Sequence, residues 1–298
     1  MAKVDCDVMT RQWAIVAKWK SCSRGAQGER RMSGQSEYQK FMGPEHDAII
    51  HRVQRFNRRI TDFDDPTAGG SGTAIRIYDR FFIATAAHVI EADHRYALGK
   101  HEGEREVRSF PAKGFNLALE VGFLEVAAEA LDDHDSFAEV KDLAPMSDHI
   151  VEVVVAGFPG VGLRRLSAGM CAKADLVRCD TVPLSDWPGD CERPTRPEND
   201  IFVNYPKTLG HQELGAGRGF DESSARQRET DDPRGMSGGG IWHYVLNENR
   251  ESGIRYPGPR LLGIQVSVYE RQRSLRGTQI RHWCDLVGKH YPEMKLEL

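Results

Sequence analysis

The sequence predicts an all-β fold of barrel or sandwich type with a helix near each end, and three observations carry that expectation. Short alternating or wholly apolar segments recur from residue 68 onward. Glycine, proline and aspartate punctuate them at close intervals, which suits antiparallel strands better than βαβ units. Helical periodicity is confined to the stretches 44–60 and 278–290.

Along the chain, residues 1–43 show no sustained periodicity and contain the polar run "SCSRGAQGERRMSGQS", so they are expected to form a basic, largely disordered extension, with Met32 as a second possible start. Residues 44–60 are expected to be an amphipathic helix, because Ile49, Val53, Phe56 and Ile60 fall on one face with arginines elsewhere. Strand-like segments follow. They are "GSGTAIRIY", "RFFIATAAHVI", "LALEVGFLEV", "HIVEVVVAGFPG", "IFVNYP" and "RLLGIQVSVYE". Between Asp180 and Arg234 the chain is rich in proline and polar residues and reads as loops around one strand. "TQIRHWCDLVGKHY" closes it as an amphipathic helix.

Composition sets broad limits. With 298 residues, 40% hydrophobic and 28% charged, the chain can bury a sizeable core in one large domain or two medium ones. The net charge of −4 is small, but it divides unevenly: residues 1–60 hold 12 Lys/Arg against 6 Asp/Glu, and the remainder is acidic. No recognition module accompanies the basic arm, which disfavours nucleic acid as a partner. No run approaches the ~18 apolar residues of a membrane span, and "WAIVA" is too short for a signal segment, so a cytoplasmic location with no membrane partner is expected. Without a signal segment the six cysteines read as reduced thiols, and no C-x-x-C pair among them argues for zinc; neither a metal nor a cofactor is expected.

The chemistry rests on two motifs. In "PRGMSGGGIW" a single serine, Ser237, stands among four glycines ahead of an apolar strand. Such a loop can present a hydroxyl nucleophile while the amides of Gly235 and Ser237 converge on a developing oxyanion. A serine nucleophile needs a base, and histidine is the usual one because it titrates near neutral pH. His88 follows Ala86 and Ala87 at the end of the apolar strand in "FFIATAAHVI", where packing can fix it; the other histidines lie in charged or loop contexts.

Together these motifs resemble the chymotrypsin-like (trypsin-fold) serine peptidases, in which a Gly-Ser-Gly-Thr strand leads to Thr-Ala-Ala-His and a later Gly-x-Ser-Gly-Gly loop carries the nucleophile. The order His, acid, Ser agrees, and the resemblance covers about residues 67–285. It implies two six-stranded-type antiparallel β-barrels within 61–290, one at about 67–145 and one at about 150–270. A helical extension precedes them and a C-terminal helix follows at 278–290. It further implies a protein or peptide substrate, His88 as general base, Ser237 as nucleophile, and an oxyanion hole at Gly235 and Ser237. The family's acid is normally an aspartate; the matching position here is Glu120, with Glu125 and Asp142 as alternatives.

Further departures concern activation and specificity. Met236 replaces the aspartate that pairs with a newly cut N-terminus in trypsin-like zymogens. The resemblance is therefore to the bacterial glutamyl-endopeptidase and high-temperature-requirement branches. Asp231 occupies the place of a specificity-pocket carboxylate, though it and Asp232 also read as solvated turn residues, and Gln265 falls near the pocket wall where glutamyl endopeptidases carry histidine. A catalytically weak pseudo-peptidase acting as a binding or regulatory module is the alternative. An α/β-hydrolase esterase is disfavoured by the absence of a Gly-x-Ser-x-Gly elbow and by the His-before-Ser order.

Overall fold

The computed structural model describes residues 51–62, 69–92, 96–99, 110–131, 135–147, 149–158, 164–166, 169–171, 175–205, 235–243, 258–294, 296 and 298. The chain separates into two units, Met1–Gly43 and Pro44–Leu298. The first, with the expected basic extension and Met32, lies outside the described residues, as do Ile49, Asp231 and Asp232.

The helix expected over 44–60 ends earlier. Residues 51–56 are helical, and Asn57–Asp62 form strand β1. Ile60 is buried as the helical reading required, yet it is buried as a strand residue. The ladder with β2 (Gly69–Ile77) and β4 (Tyr96–Gly99) on either side overrides the local helical pattern. Val53 and Phe56 keep the role the periodicity gave them: both are buried, and the Phe56 ring stacks on Trp242 at 5.5 Å between centroids.

The first sheet runs in the order β4-β1-β2-β3-β6-β5, with β3 at Arg80–Ala86, β5 at Lys113–Asn116 and β6 at Val121–Val126. The short strand β7 (Ala138–Glu139) adds in parallel to the far end of β2. The curled sheet encloses Ile60, Ala74, Ile83, Ile90, Leu98 and Leu124.

A small hairpin, β9 (Arg164–Leu166) with β10 (Gly169–Cys171), stands apart. The second sheet has the order β11-β8-β13-β14-β15-β12. Its members are β8 (Glu152–Gly157), β11 (Asp175–Asp180), β12 (Asp200–Asn204), β13 (Gly240–His243), β14 (Arg260–Tyr269) and β15 (Ser274–Gln279). Thr181 bridges Val203, and the Val182 N–H donates to the Phe202 carbonyl at 2.8 Å, so the six strands close into a ring. Closure leaves no free edge between β11 and β12 and surrounds a core of Val153, Val155, Val177, Ile201, Met236 and Leu262. Both sheets are antiparallel apart from β7. Two curled antiparallel sheets, the second closed into a ring, make up the two-barrel, all-β architecture expected from the sequence.

From β15 the chain enters the C-terminal helix Ile280–His290, which crosses back onto the first sheet. Trp283 meets Phe82 edge-on and His290 meets Phe123 edge-on, so the helix fastens one barrel to the other. No helix among the described residues is long and apolar enough to cross a membrane.

Candidate active site

His88 lies in the single helical turn Ala87–Ile90 that follows β3. β3 pairs with β6 so that Ala86 faces Val121, which brings the turn just before β6 beside the histidine. Glu120 ends that turn. Its carbonyl accepts from the Ala87 N–H at 3.1 Å, and its Oε2 lies 3.0 Å from His88 Nδ1. A carboxylate can only accept, so Nδ1 donates in this contact, and in the neutral imidazole that tautomer leaves the lone pair on Nε2.

The geometry differs in one respect from the strand position read from sequence. Glu120 is a turn residue with φ +56, in the left-handed region that glutamate rarely occupies. At Gly122, two residues on, a Cβ would meet Ile90 Cδ1 at 2.9 Å and the Gly114 carbonyl at 3.1 Å, so the strand after Glu120 packs too closely for a side chain there. The two alternative acids are engaged elsewhere. Glu125 accepts from Arg80 and from the Tyr291 hydroxyl, and Asp142 accepts from Arg52 and the Glu139 N–H.

Ser237 is placed by a residue to which sequence reasoning gave no role, Ser71 of the "GSGT" segment. The Ser71 N–H donates to the Ser237 carbonyl at 2.7 Å, its hydroxyl donates to the Gly235 carbonyl at 2.8 Å, and the same hydroxyl accepts from the Phe158 N–H at 2.7 Å. One serine of the first barrel thus holds both ends of the Gly235–Ser237 segment and the strand end at Phe158. The quoted glycine–serine–glycine run was the available signal; its partners, far along the chain, were not legible.

Glycine is required where these pieces touch. Gly238 has φ +92, and a Cβ there would sit 1.9 Å from the Ser71 carbonyl oxygen. At Gly70 a Cβ would lie 2.7 Å from both the Ser237 carbonyl oxygen and Val89 Cγ2. The serine loop and the turn bearing His88 therefore flank the same glycine. Gly235, at φ +92, precedes the buried Met236, whose side chain belongs to the core of the second barrel rather than to any ion pair. Among the described residues neither the Gly235 nor the Ser237 N–H donates to a protein acceptor, and Ser237 shares no hydrogen bond with His88.

Gln265 contacts the loop through its backbone: its carbonyl accepts from the Gly238 N–H, and its N–H donates to the Gly239 carbonyl. Its side chain is closed off from solvent, donates to the Ser267 carbonyl at 3.1 Å and leaves Oε1 unpartnered. No cluster of metal-ligating side chains occurs among the described residues. Burial, reinforced by Asp285, pushes the Cys284 thiol up to about 12, and burial beside Asp180 raises Cys179 as well, so both are poor nucleophiles.

The Ser71 arrangement gives a direct expectation. Ser71→Ala leaves the buried Phe158 N–H and the Gly235 carbonyl without a partner, which should cost ~1–3 kcal/mol. Denaturant unfolding measures it; a loss below ~0.5 kcal/mol would mean that water replaces the hydroxyl without penalty.

No protein-family model matches the sequence, and no curated protein matches it. Among solved structures, one titled as the atomic-resolution structure of HBP is similar with a TM-score of 0.48 and 14% identity, over 78% of this chain and 91% of that one. A likeness of that size bears on none of the residue roles, which rest on the geometry above.

Proposed function

We propose that the chain is a serine endopeptidase of the chymotrypsin-like class, acting on a protein or peptide substrate through an acyl-enzyme and needing no cofactor. The observation that carries the reading is the 3.0 Å contact between His88 Nδ1 and Glu120, which leaves Nε2 free to accept a proton. Ser237 Oγ attacks the scissile carbonyl carbon as its proton passes to His88 Nε2. The oxyanion then accepts from the Gly235 and Ser237 N–H groups. Collapse breaks the C–N bond, and the amine leaves with the proton from His88. Water, deprotonated by His88, releases the acyl group by the same steps in reverse.

Met236 in the apolar core supports a branch without the zymogen aspartate, like the bacterial glutamyl-endopeptidase and high-temperature-requirement enzymes. Free thiols at Cys179, Cys191 and Cys284 fit a reducing, cytoplasmic setting. The second reading is a catalytically weak binding module, favoured by the missing hydrogen bond between Ser237 and His88. Unliganded sites often lack that bond, however, and it forms when substrate arrives.

A fluorophosphonate probe separates the two readings. Wild type should be labelled at Ser237, whereas Ser237→Ala and His88→Ala should not be. Absence of labelling in a folded wild-type protein would replace the peptidase with the binding module.

A further inference from the structure

We propose that Arg193 is a positioning residue for the His88–Glu120 pair: reaching from the second barrel, it holds the turn that carries Glu120. The inference rests on the peptidase reading only for its effect on rate; the hold itself is a matter of geometry.

The turn 117–120 needs an outside support. Glutamate at φ +56 is strained, and such a conformation persists only where its surroundings fix it. The bonds within the turn are long: Leu119 N–H to the Asn116 carbonyl and Glu120 N–H to the Leu117 carbonyl are both 3.3 Å, and the Leu119 N–H is shared with Asn116 Oδ1 at 3.2 Å. Bonds from the second barrel are shorter. Arg193 Nη1 donates to the Ala118 carbonyl at 2.8 Å, and Thr278 Oγ1 of β15 donates to the Leu119 carbonyl at 2.5 Å.

Arg193 is itself anchored. Its Nη2 reaches Thr278 Oγ1 at 3.4 Å and Asp200 Oδ1 at 3.6 Å, while its carbonyl accepts from Arg276 Nη1 at 3.0 Å. Asp200 and Arg276 form a bidentate pair, both almost wholly buried. A rigid line therefore runs from the core of the second barrel to the backbone beside Glu120. Burial, with the neighbouring Arg276, pulls the Arg193 guanidinium below its usual value, whereas Asp200 and Glu120 hold it up; it stays cationic within the field of the Glu120 carboxylate. Its side chain is 21% exposed, so its replacement opens no sealed cavity.

The test reads the His88–Glu120 hydrogen bond directly, as the low-field Nδ1 proton in the NMR spectrum of the full chain, beside the rate of fluorophosphonate labelling. Glu120→Gln identifies the resonance by abolishing it. Arg193→Met should broaden or remove it and slow labelling ~10-fold or more. Arg193→Lys, which can still donate to the Ala118 carbonyl, should restore the resonance and most of the rate. Thr278→Val removes the second hold and should act in the same direction, which keeps the idea testable if Arg193→Met does not fold. A sharp, unmoved resonance with wild-type labelling in both Arg193→Met and Thr278→Val overturns the proposal, as does Arg193→Lys behaving like Arg193→Met. Failure of the wild type to label would instead overturn the peptidase reading, and the resonance alone would then decide the role of Arg193.

Discussion

Replacing Glu120 with glutamine should lower kcat by ~10³- to 10⁴-fold while leaving the fold intact, as expected when an orienting acid is lost from a serine–histidine–acid triad. Glutamine matches the shape of glutamate, so the 3.0 Å contact with His88 Nδ1 can persist. Its amide, however, can donate to Nδ1, which shifts the imidazole proton to Nε2 and leaves no lone pair to accept from Ser237. Two further variants isolate the cause. Glu120→Gly relieves the φ +56 conformation and removes the carboxylate, so it should be at least as stable as wild type yet equally slow. Glu120→Asp tolerates the left-handed backbone and keeps the charge but is one methylene shorter, so partial activity should remain. Steady-state hydrolysis of a peptide library, with melting curves for each variant, gives the answer. Turnover unchanged in Glu120→Gln but lost in Glu125→Gln or Asp142→Asn would move the role to another acid.

A chain that starts at Thr61 should not fold, whereas one that starts at Met32 should melt as the full chain does. Starting at Thr61 removes the helical residues 51–56 and most of β1. β1 lies between β2 and β4, so β4 loses half of its one strand pairing among the described residues and β2 gains a largely bare edge. Val53, Phe56 and Ile60, each at most 4% exposed, leave the core with them. Their burial contributes at most ~1.5–3 kcal/mol each, and the stacking of Phe56 on Trp242 adds ~0.5–1.5 kcal/mol. A loss of that size rivals the whole stability of a typical domain, ~5–15 kcal/mol. Trp242 stands five residues after Ser237, so the damage also reaches the strand behind the serine loop. Circular dichroism and a thermal melt check both chains. A cooperative transition near that of the full chain from the one starting at Thr61 would show that β1 is an accessory strand.

The strand-rich class, the two motifs and their order are legible in the amino-acid order alone, because each is written in a few adjacent residues. The apolar run before His88 and the glycines around Ser237 reflect local needs: a packed strand end and a loop without Cβ atoms. The resemblance also pointed to Glu120, but not to its conformation, since nothing local distinguishes a glutamate at the head of a strand from one held at φ +56. The tertiary structure alone turned Asn57–Asp62 from helix into strand, because the ladders to Gly69–Thr73 and Tyr96–Gly99 outweigh a weak local preference. It alone gave Ser71 its three bonds and Arg193 its hold on a turn 75 residues earlier in the chain. Those contacts join the two barrels, and the hydrogen-bond partners that meet at such a seam leave no periodicity or spacing in the sequence to reveal them.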